Sequence, residues 1–202
     1  FWDAVVDDQL VPAAIPAGNY TDGITCTRYV GDPGIAYNVI TVGNVNDTGD
    51  ASSANPNRDD DTINPTSAWG ETPGGRKKPD LSAPGTNIGS TDNNSDTAFS
   101  NVTGTSAAAA HVTGAILLLQ DYGITDPREQ KALLINTAED KGPPGWDIAY
   151  GWGYIDLGKA WTCKDDTLLG GISPAPDFQL YEGGWDAGDS ATLVWNRQVA
   201  YN

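Results

Sequence analysis

The stretch Gly104–Gly114, GTSAAAAHVTG, decides how the chain folds, because it opens an apolar segment that runs on to Tyr122. Apolar residues fall on nearly every side of the helix that this segment predicts, a pattern typical of a helix buried in a core. Ser106 lies in the first turn, where a hydroxyl can project into a cleft and unpaired backbone N–H groups can face an anion. A serine at such a position usually does no more than cap the helix, so a nucleophile needs further evidence.

The only histidine of the chain, His111, follows Ser106 by five residues. An α-helix turns ~100° and rises ~1.5 Å per residue, so the two side chains point about 140° apart and sit ~7.5 Å apart along the axis. This geometry keeps His111 from taking the proton of the Ser106 hydroxyl. We therefore predict a structural role for a partly buried His111, and a base for Ser106 that lies elsewhere.

Capping signals and short apolar runs predict the other regular elements. Asp126 is expected to cap a helix that Pro127 opens, with Glu129 three positions after the cap, and that continues to Asp140. The remaining predictions are a helix over Phe1–Gln9, strands over Leu10–Ile15 and Val39–Val45, loops over most of Asn46–Pro79, an extended segment over Lys78–Gly85 and a short helix over Leu157–Trp161.

The composition excludes several classes of partner. Eleven Lys and Arg against 27 Asp and Glu give a net charge of −16, which argues against nucleic acid and against anionic membranes. The longest apolar run, Ala107–Leu119, is too short to span a bilayer. Most of the carboxylates are interpreted as a solvated acidic surface, which fits a secreted protein or one from a salty medium, and charge alone does not separate the two. Cys26 and Cys163 are too few for a disulfide scaffold, and one bridge or two free thiols both remain open.

The character of the chain changes after Trp161. DFQLYEG and ATLVWN alternate apolar and polar residues around a turn, which predicts a β-hairpin. Roughly 40 residues cannot build a β-domain with its own core, so residues 162–202 are interpreted as the first strands of a β-rich, β-sandwich-like accessory domain. The chain starts at Phe1 and contains no Met, which suggests a piece of a longer product.

The quoted stretch resembles the nucleophile signature of the subtilisin-like serine proteases, the subtilases, usually written GTSMAxPHVAG. Four further segments resemble the family in the family's order: AGN at 17–19, VITVGNV at 39–45, SAWGETPGGRKKPDLSAPG at 67–85 and YGWGYIDLGKAW at 150–161. The resemblance implies a three-layer subtilisin-like α/β fold with a parallel sheet, of which residues 1–161 form the C-terminal part, the N-terminal part being missing.

The same resemblance implies roles for individual residues. Ser106 would be the acylated nucleophile, and Asn19 would hold the oxyanion together with the backbone N–H of Ser106. Pro16, Ala17 and Gly18 would line one wall of the primary specificity pocket. Gly31 would form its floor or opposite wall. Small residues at these places predict a roomy pocket that takes a bulky or apolar side chain.

The chain departs from the family in one decisive respect. Subtilases carry their catalytic Asp and His ahead of the segment that contains Asn19, whereas the only histidine here matches a non-catalytic position. We therefore expect residues 1–202 alone to be inactive and to fold poorly. Completed by an upstream Asp and His, they would form a secreted, extracellular and monomeric endopeptidase that acts on protein or peptide substrates.

No cofactor is expected to be required, and no metal ligands are assigned. Calcium ions stabilise many subtilases, and oxygen ligands are offered by Asp47, Asp50, Asp59, Asp60 and Asp61, but their spacing matches no calcium loop. A rival interpretation is a non-catalytic subtilase-like binding or structural module, against which the presence of both Ser106 and Asn19 argues. A lipase or esterase is disfavoured because Gly104–Ala108 lacks the second glycine of the Gly-x-Ser-x-Gly turn.

Overall fold

The computed structural model describes residues 1–20, 29–47, 58–70, 72–170 and 189–196. Its helices are α1 (Trp2–Gln9), α2 (Thr105–Tyr122), α3 (Pro127–Thr137) and α4 (Leu157–Thr162), with one 3-10 turn at Arg58–Asp60. Its strands are β1 (Ala14–Pro16), β2 (Ile40–Asn46), β3 (Thr62–Ile63), β4 (Leu81–Pro84), β5 (Ile88–Thr91) and β6 (Phe99–Val102).

Strand β2 is the centre of the main sheet. It pairs in parallel with β1 and with β4, and its far end pairs antiparallel with β3. All of β2 except its last residue is buried, including the polar Thr41 and Asn44, because strands of parallel sheets are covered on both faces. The α/β fold with a parallel sheet is therefore confirmed.

The core lies between this sheet and α2. The helix contacts β1, β2 and β4, and its buried residues Ala108, Val112, Ala115 and Leu119 repeat at helical spacing along one face. Strand residues such as Val42 and Leu81, both fully buried, complete this core. Three further residues, Val6, Ile15 and Val39, form a smaller cluster that joins α1 to the sheet.

The prediction that α2 is buried on nearly all sides is wrong for the part of the chain that the structure describes. Leu117 and Leu118 are 59% and 52% exposed, and Ala110 and His111 are exposed as well. The cause is that the sheet covers one face of the helix, and no described element covers the other. An all-round apolar pattern identifies the helix but not which of its faces is packed.

Several predicted boundaries also shift. The strand expected over Leu10–Ile15 begins only at Ala14, because Leu10 adopts a left-handed conformation (φ 51°) that terminates α1. The predicted strand Val39–Val45 is displaced by one residue. Helix α3 starts at the Asp126 cap as predicted but ends at Thr137 instead of Asp140, because Ala138 turns to extended backbone.

The hairpin formed by β5 and β6 has no counterpart among the sequence-based predictions. Ile88 pairs with Val102 and Thr91 with Phe99, and the backbone N–H of Asn94 donates to the Asp92 carboxylate in the connecting turn. The run of Asn, Asp and Ser at residues 92–96 was the available signal, because such residues favour turns. The hairpin leads directly into Gly104 and so delivers the chain to the start of α2.

Only part of the predicted C-terminal β-hairpin lies within the described residues. The first predicted strand, DFQLYEG, lies outside the described residues, and Ala191–Asn196 forms no regular strand. The hydroxyls of Ser190 and Thr192 instead donate to the Asn136 side-chain oxygen over 3.1 and 2.9 Å. The division at residue 162 stays a prediction. Cys163 is a free thiol, and Cys26 lies outside the described residues.

A buried ionic cluster joins β4 to α3. The Asp80 carboxylate lies 2.7 Å from the Lys78 ammonium and 3.0 Å from the Lys131 ammonium, and it accepts the backbone N–H of Thr41. Both ammonium groups also donate to the carbonyl of Val39. Burial lowers the pKa of Lys78 to about 8 against the opposing attraction of Asp80. Burial alone would raise the pKa of Asp80, but the two ammonium groups hold it below its usual value.

The helices were also compared with what a bilayer requires. Within the described ranges, none combines the length and the apolar character needed to cross a membrane.

Candidate active site

Ser106 lies in the first turn of α2 with its side chain exposed, between the buried Thr105 and the partly buried Ala107. The amides of Ala107 and Ala108 both donate to the Gly104 carbonyl, and the amide of Thr105 donates to Asn19. Among the described residues, the backbone N–H of Ser106 has no acceptor. A free amide therefore stands beside the hydroxyl at the positive end of the helix dipole, where developing negative charge is stabilised.

Asn19 is brought to the same place by the chain that leaves β1. Gly18 turns the backbone with φ 109°, a conformation that favours glycine, and Asn19 then forms an isolated bridge with Ser67. The Asn19 side-chain oxygen accepts the Thr105 backbone N–H over 2.9 Å and the Thr105 hydroxyl over 3.3 Å. These two bonds fix the amide orientation, so the Asn19 NH2 group remains available as a donor.

Thr105 connects both halves of this arrangement. Its hydroxyl accepts the Gly18 backbone N–H over 3.2 Å while it donates to Asn19, and its side chain is fully buried. Sequence reasoning assigned no role to Thr105, although it stands next to Ser106 in the quoted motif. The signal that was missed is chemical: a hydroxyl donates and accepts at once, so it can orient a neighbouring amide.

Gly104 lies close to the side chains of both Asn19 and Ser106. A β-carbon added there would lie 3.2 Å from the Asn19 side-chain nitrogen and 3.4 Å from the Ser106 hydroxyl oxygen. Gly85 lies close to Gly104 as well, because its carbonyl accepts the Gly104 backbone N–H over 2.8 Å, and a β-carbon added at Gly85 would lie 2.6 Å from the Gly104 carbonyl oxygen. The absence of side chains at both glycines lets the Ser106 hydroxyl and the Asn19 amide lie in one small region.

His111 takes no part in this region. Its side chain is exposed, not partly buried as predicted, and its Nδ1 lies 3.1 Å from the Ala107 carbonyl oxygen one turn back along α2. Because His111 is the only histidine in the sequence, residues 1–202 provide Ser106 with no imidazole base. The prediction from helix geometry that the His111 side chain lies away from the Ser106 side chain agrees with this position.

A pocket of about 270 Å³ adjoins Asn19. The structure brings together all four predicted pocket residues, Pro16, Ala17, Gly18 and Gly31, although their role in substrate binding stays a prediction. The pocket is also lined by residues that no sequence motif singled out: Tyr20, Tyr29, Asp32, Pro33 and Ala68. A β-carbon added at Gly31 would meet no atom within 4 Å, so the pocket is open on that side.

A second cavity is larger, at about 660 Å³, and is lined by Lys131, Trp152 and Trp195 among others. It contains neither Ser106 nor Asn19, so its size does not make it the candidate active site.

Metal binding was the other possibility that the acidic residues raised. Within the described ranges, no three carboxylate, His or Cys side chains are grouped to hold an ion, and Asp50 lies outside those ranges. A structural calcium ion stays an expectation.

Comparison with known proteins agrees with this geometry. A model described as the Subtilase family matches residues 8–153. Serine protease AprX from Bacillus subtilis (strain 168) is 34% identical over 143 residues, covering 64% of this chain and 31% of that protein. An extracellular serine protease from Serratia marcescens is 40% identical over 60 residues, covering 29% of this chain and 6% of that protein.

Solved structures resemble the fold as well. Fervidolysin from Fervidobacterium pennivorans, described as a keratinolytic enzyme related to subtilisin, superimposes with a TM-score of 0.61 at 24% identity. That alignment covers 80% of this chain and 24% of the other. The chain thus spans less than a third of the length of each of these relatives.

Proposed function

The chain belongs to the subtilase family, and on that premise we propose that it carries the nucleophile and the oxyanion hole of a serine endopeptidase. The Ser106 oxygen attacks the peptide carbonyl as its proton passes to the base, the peptide C–N bond then breaks, and the amine leaves with that proton. Water hydrolyses the remaining ester, which releases the acid product and restores the Ser106 hydroxyl. The observation that carries this proposal is the pair of bonds from Thr105 to the Asn19 oxygen, because they leave the amide hydrogens of Asn19 free beside Ser106.

The tetrahedral intermediate places a full negative charge on the former carbonyl oxygen. Asn19 donates to that oxygen from one side and the unpaired backbone N–H of Ser106 from the other. The buried Thr105 holds the donor in place before substrate arrives, so little reorganisation is needed during the reaction. Preorganisation of this kind is a large contribution to catalysis, because the donors do not have to be turned out of solvent.

The general base is the missing part. A serine hydroxyl is a weak nucleophile until an adjacent base removes its proton, and His111 is on the wrong face of α2 to do so. In this proposal, a histidine and an orienting carboxylate outside residues 1–202 complete the triad. The 202 residues alone are then inactive apart from the small residual effect of the oxyanion hole.

We also propose the substrates of the enzyme, its location and its oligomeric state. Substrates are proteins or peptides, and a strongly acidic chain that resembles an extracellular serine protease of Serratia marcescens fits secretion. Neither nucleic acid nor membrane is a partner, and the enzyme acts as a monomer.

The test uses the protein expressed from its natural coding sequence together with whatever lies upstream of residue 1, here called the native-length protein. Peptidase activity is measured for this protein, for Ser106→Ala and for the matched control Ser95→Ala in the exposed turn between β5 and β6. We expect Ser106→Ala to abolish activity and Ser95→Ala to retain it.

Two results would contradict the proposal. Peptidase activity in purified residues 1–202 that Ser106→Ala removes would mean that the base lies within these residues. A native-length protein without peptidase activity, but with its fold intact by circular dichroism, would favour the non-catalytic module instead.

A further inference from the structure

The pocket beside Asn19 contains a charged residue that the small-residue pattern of the sequence did not indicate. Asp32 lines this pocket and is exposed to solvent. None of the ion pairs identified among the described residues involves Asp32. A carboxylate in the lining of this pocket is therefore available to a positively charged side chain that enters it.

The lining also includes apolar and aromatic residues. Ala17 and Ala68 are buried and pack together with Val30, so they offer a hydrocarbon surface. Tyr20 and Tyr29 also line the pocket, and the Tyr29 ring lies against Gly70, where an added β-carbon would be 3.3 Å from it. Aromatic faces attract cations, and alkyl stems pack on apolar walls.

The apolar residues, the two tyrosines and the Asp32 carboxylate together suit one kind of substrate side chain, namely a hydrocarbon stem that ends in a positive charge. Lysine and arginine have this form, and a phenylalanine ring would leave the carboxylate without a partner. The chain also carries 27 acidic against 11 basic residues, and such an excess attracts cationic ligands over longer range.

We propose that Asp32 is a specificity residue that selects peptides with lysine or arginine immediately before the cleaved bond. This proposal rests on the proposed function, and it replaces the bulky or apolar side chain expected from the small residues of the pocket. Asp32 binds the substrate cation but takes no part in bond cleavage. It acts on substrate choice and leaves the nucleophile and the oxyanion donors unchanged.

The sharpest substrate pair is lysine against norleucine, because both have the same alkyl stem and only lysine carries the charge. The native-length protein is assayed with peptides that differ only at this residue, and a phenylalanine peptide is added. We expect kcat/KM for lysine to exceed that for norleucine about tenfold at low salt. The ratio should fall as ionic strength rises, because a partly exposed charge pair is screened.

Three variants test the residue itself. Asp32→Asn removes the charge at nearly constant size and should bring the lysine-to-norleucine ratio down about tenfold, close to one. Asp32→Glu keeps the charge and should retain most of the preference. Asp166→Asn, at an exposed position outside the pocket, is the matched control and should leave the ratio unaltered.

The outcomes separate this inference from the proposed function. Cleavage that Ser106→Ala abolishes, with no preference for lysine or with a preference that Asp32→Asn leaves intact, overturns the role of Asp32 and leaves the function standing. Absence of cleavage with every peptide, in a folded protein, overturns the proposed function and this inference together.

Discussion

Replacing Lys78 by methionine should change how stability depends on pH. Lys78 is 2% exposed, and its ammonium contacts Asp80 and the Val39 carbonyl. Burial lowers the pKa of Lys78 from 10.5 to about 8, so the folded protein favours the neutral amine more than the unfolded chain does. Methionine has a similar length and no charge, so the variant removes the titration and largely keeps the packing.

The sign follows from the direction of the shift. Because the folded pKa of Lys78 is below the unfolded one, the unfolded chain binds more protons between pH 8 and 10.5, and stability rises with pH in that window. A shift of this size corresponds to about 3 kcal/mol in total, most of which is gained between pH 7 and pH 10. The usual lysine, stabilised in its charged form, would change stability in the opposite direction.

The assay is urea unfolding of the native-length protein at pH 7 and pH 10, with Ser106→Ala in every sample to prevent self-digestion. The unfolding free energy with Lys78 minus that with methionine should increase by about 2 to 3 kcal/mol over this range. Subtraction cancels groups such as Tyr154, whose pKa burial raises above its ordinary value. Lys159→Met, at an exposed position of α4, controls for loss of one positive charge. A difference that stays constant or declines with pH would refute this reasoning.

Three further changes probe the site and its support. Thr105→Val keeps the backbone N–H that donates to Asn19 but loses the hydroxyl that also donates to it. Steady-state kinetics should therefore show kcat reduced about tenfold with KM unchanged. A change confined to KM would argue that Thr105 does not orient the Asn19 amide for the oxyanion. In Gly31→Val the added side chain enters the open space of the pocket, so the melting temperature should not change. Because the side chain occupies space that the substrate needs, kcat/KM for lysine peptides should fall at least tenfold. A loss of stability that matches the loss of activity would mean that Gly31 supports the fold and not the pocket. Asp126→Ala removes the cap bond to the Arg128 amide and should cost about 1 kcal/mol in urea unfolding with kcat/KM intact, whereas no change would show that the cap is dispensable.

The sequence located the elements that carry the site, because their signals are local. A long apolar run after Gly-Thr-Ser marks α2, an Asp-Pro cap marks α3, and a short stretch rich in valine and isoleucine marks the central strand β2. The separation of Ser106 from His111 followed from helix geometry alone. In each case, the deciding interactions lie within one turn or one strand of the residues that were read.

What the sequence did not reveal depends on contacts between distant residues. The bond from Thr105 to Asn19 spans 86 residues, and no local pattern marks its donor or its acceptor. The place of Asp32 in the pocket depends on how the loop after Val30 packs against Ala68, which composition does not encode. The exposure of Leu117 and Leu118 follows from which face of α2 meets the sheet.

The most direct test of the central claim is the chemical reactivity of Ser106. The native-length protein is treated with a fluorophosphonate, which phosphonylates an activated serine as fluoride leaves, and the modified residue is located by mass spectrometry of peptides. We predict one phosphonate on Ser106, loss of peptidase activity in proportion to labelling, and no labelling in Ser106→Ala. Activity that disappears while another serine is labelled and Ser106 stays free would contradict it.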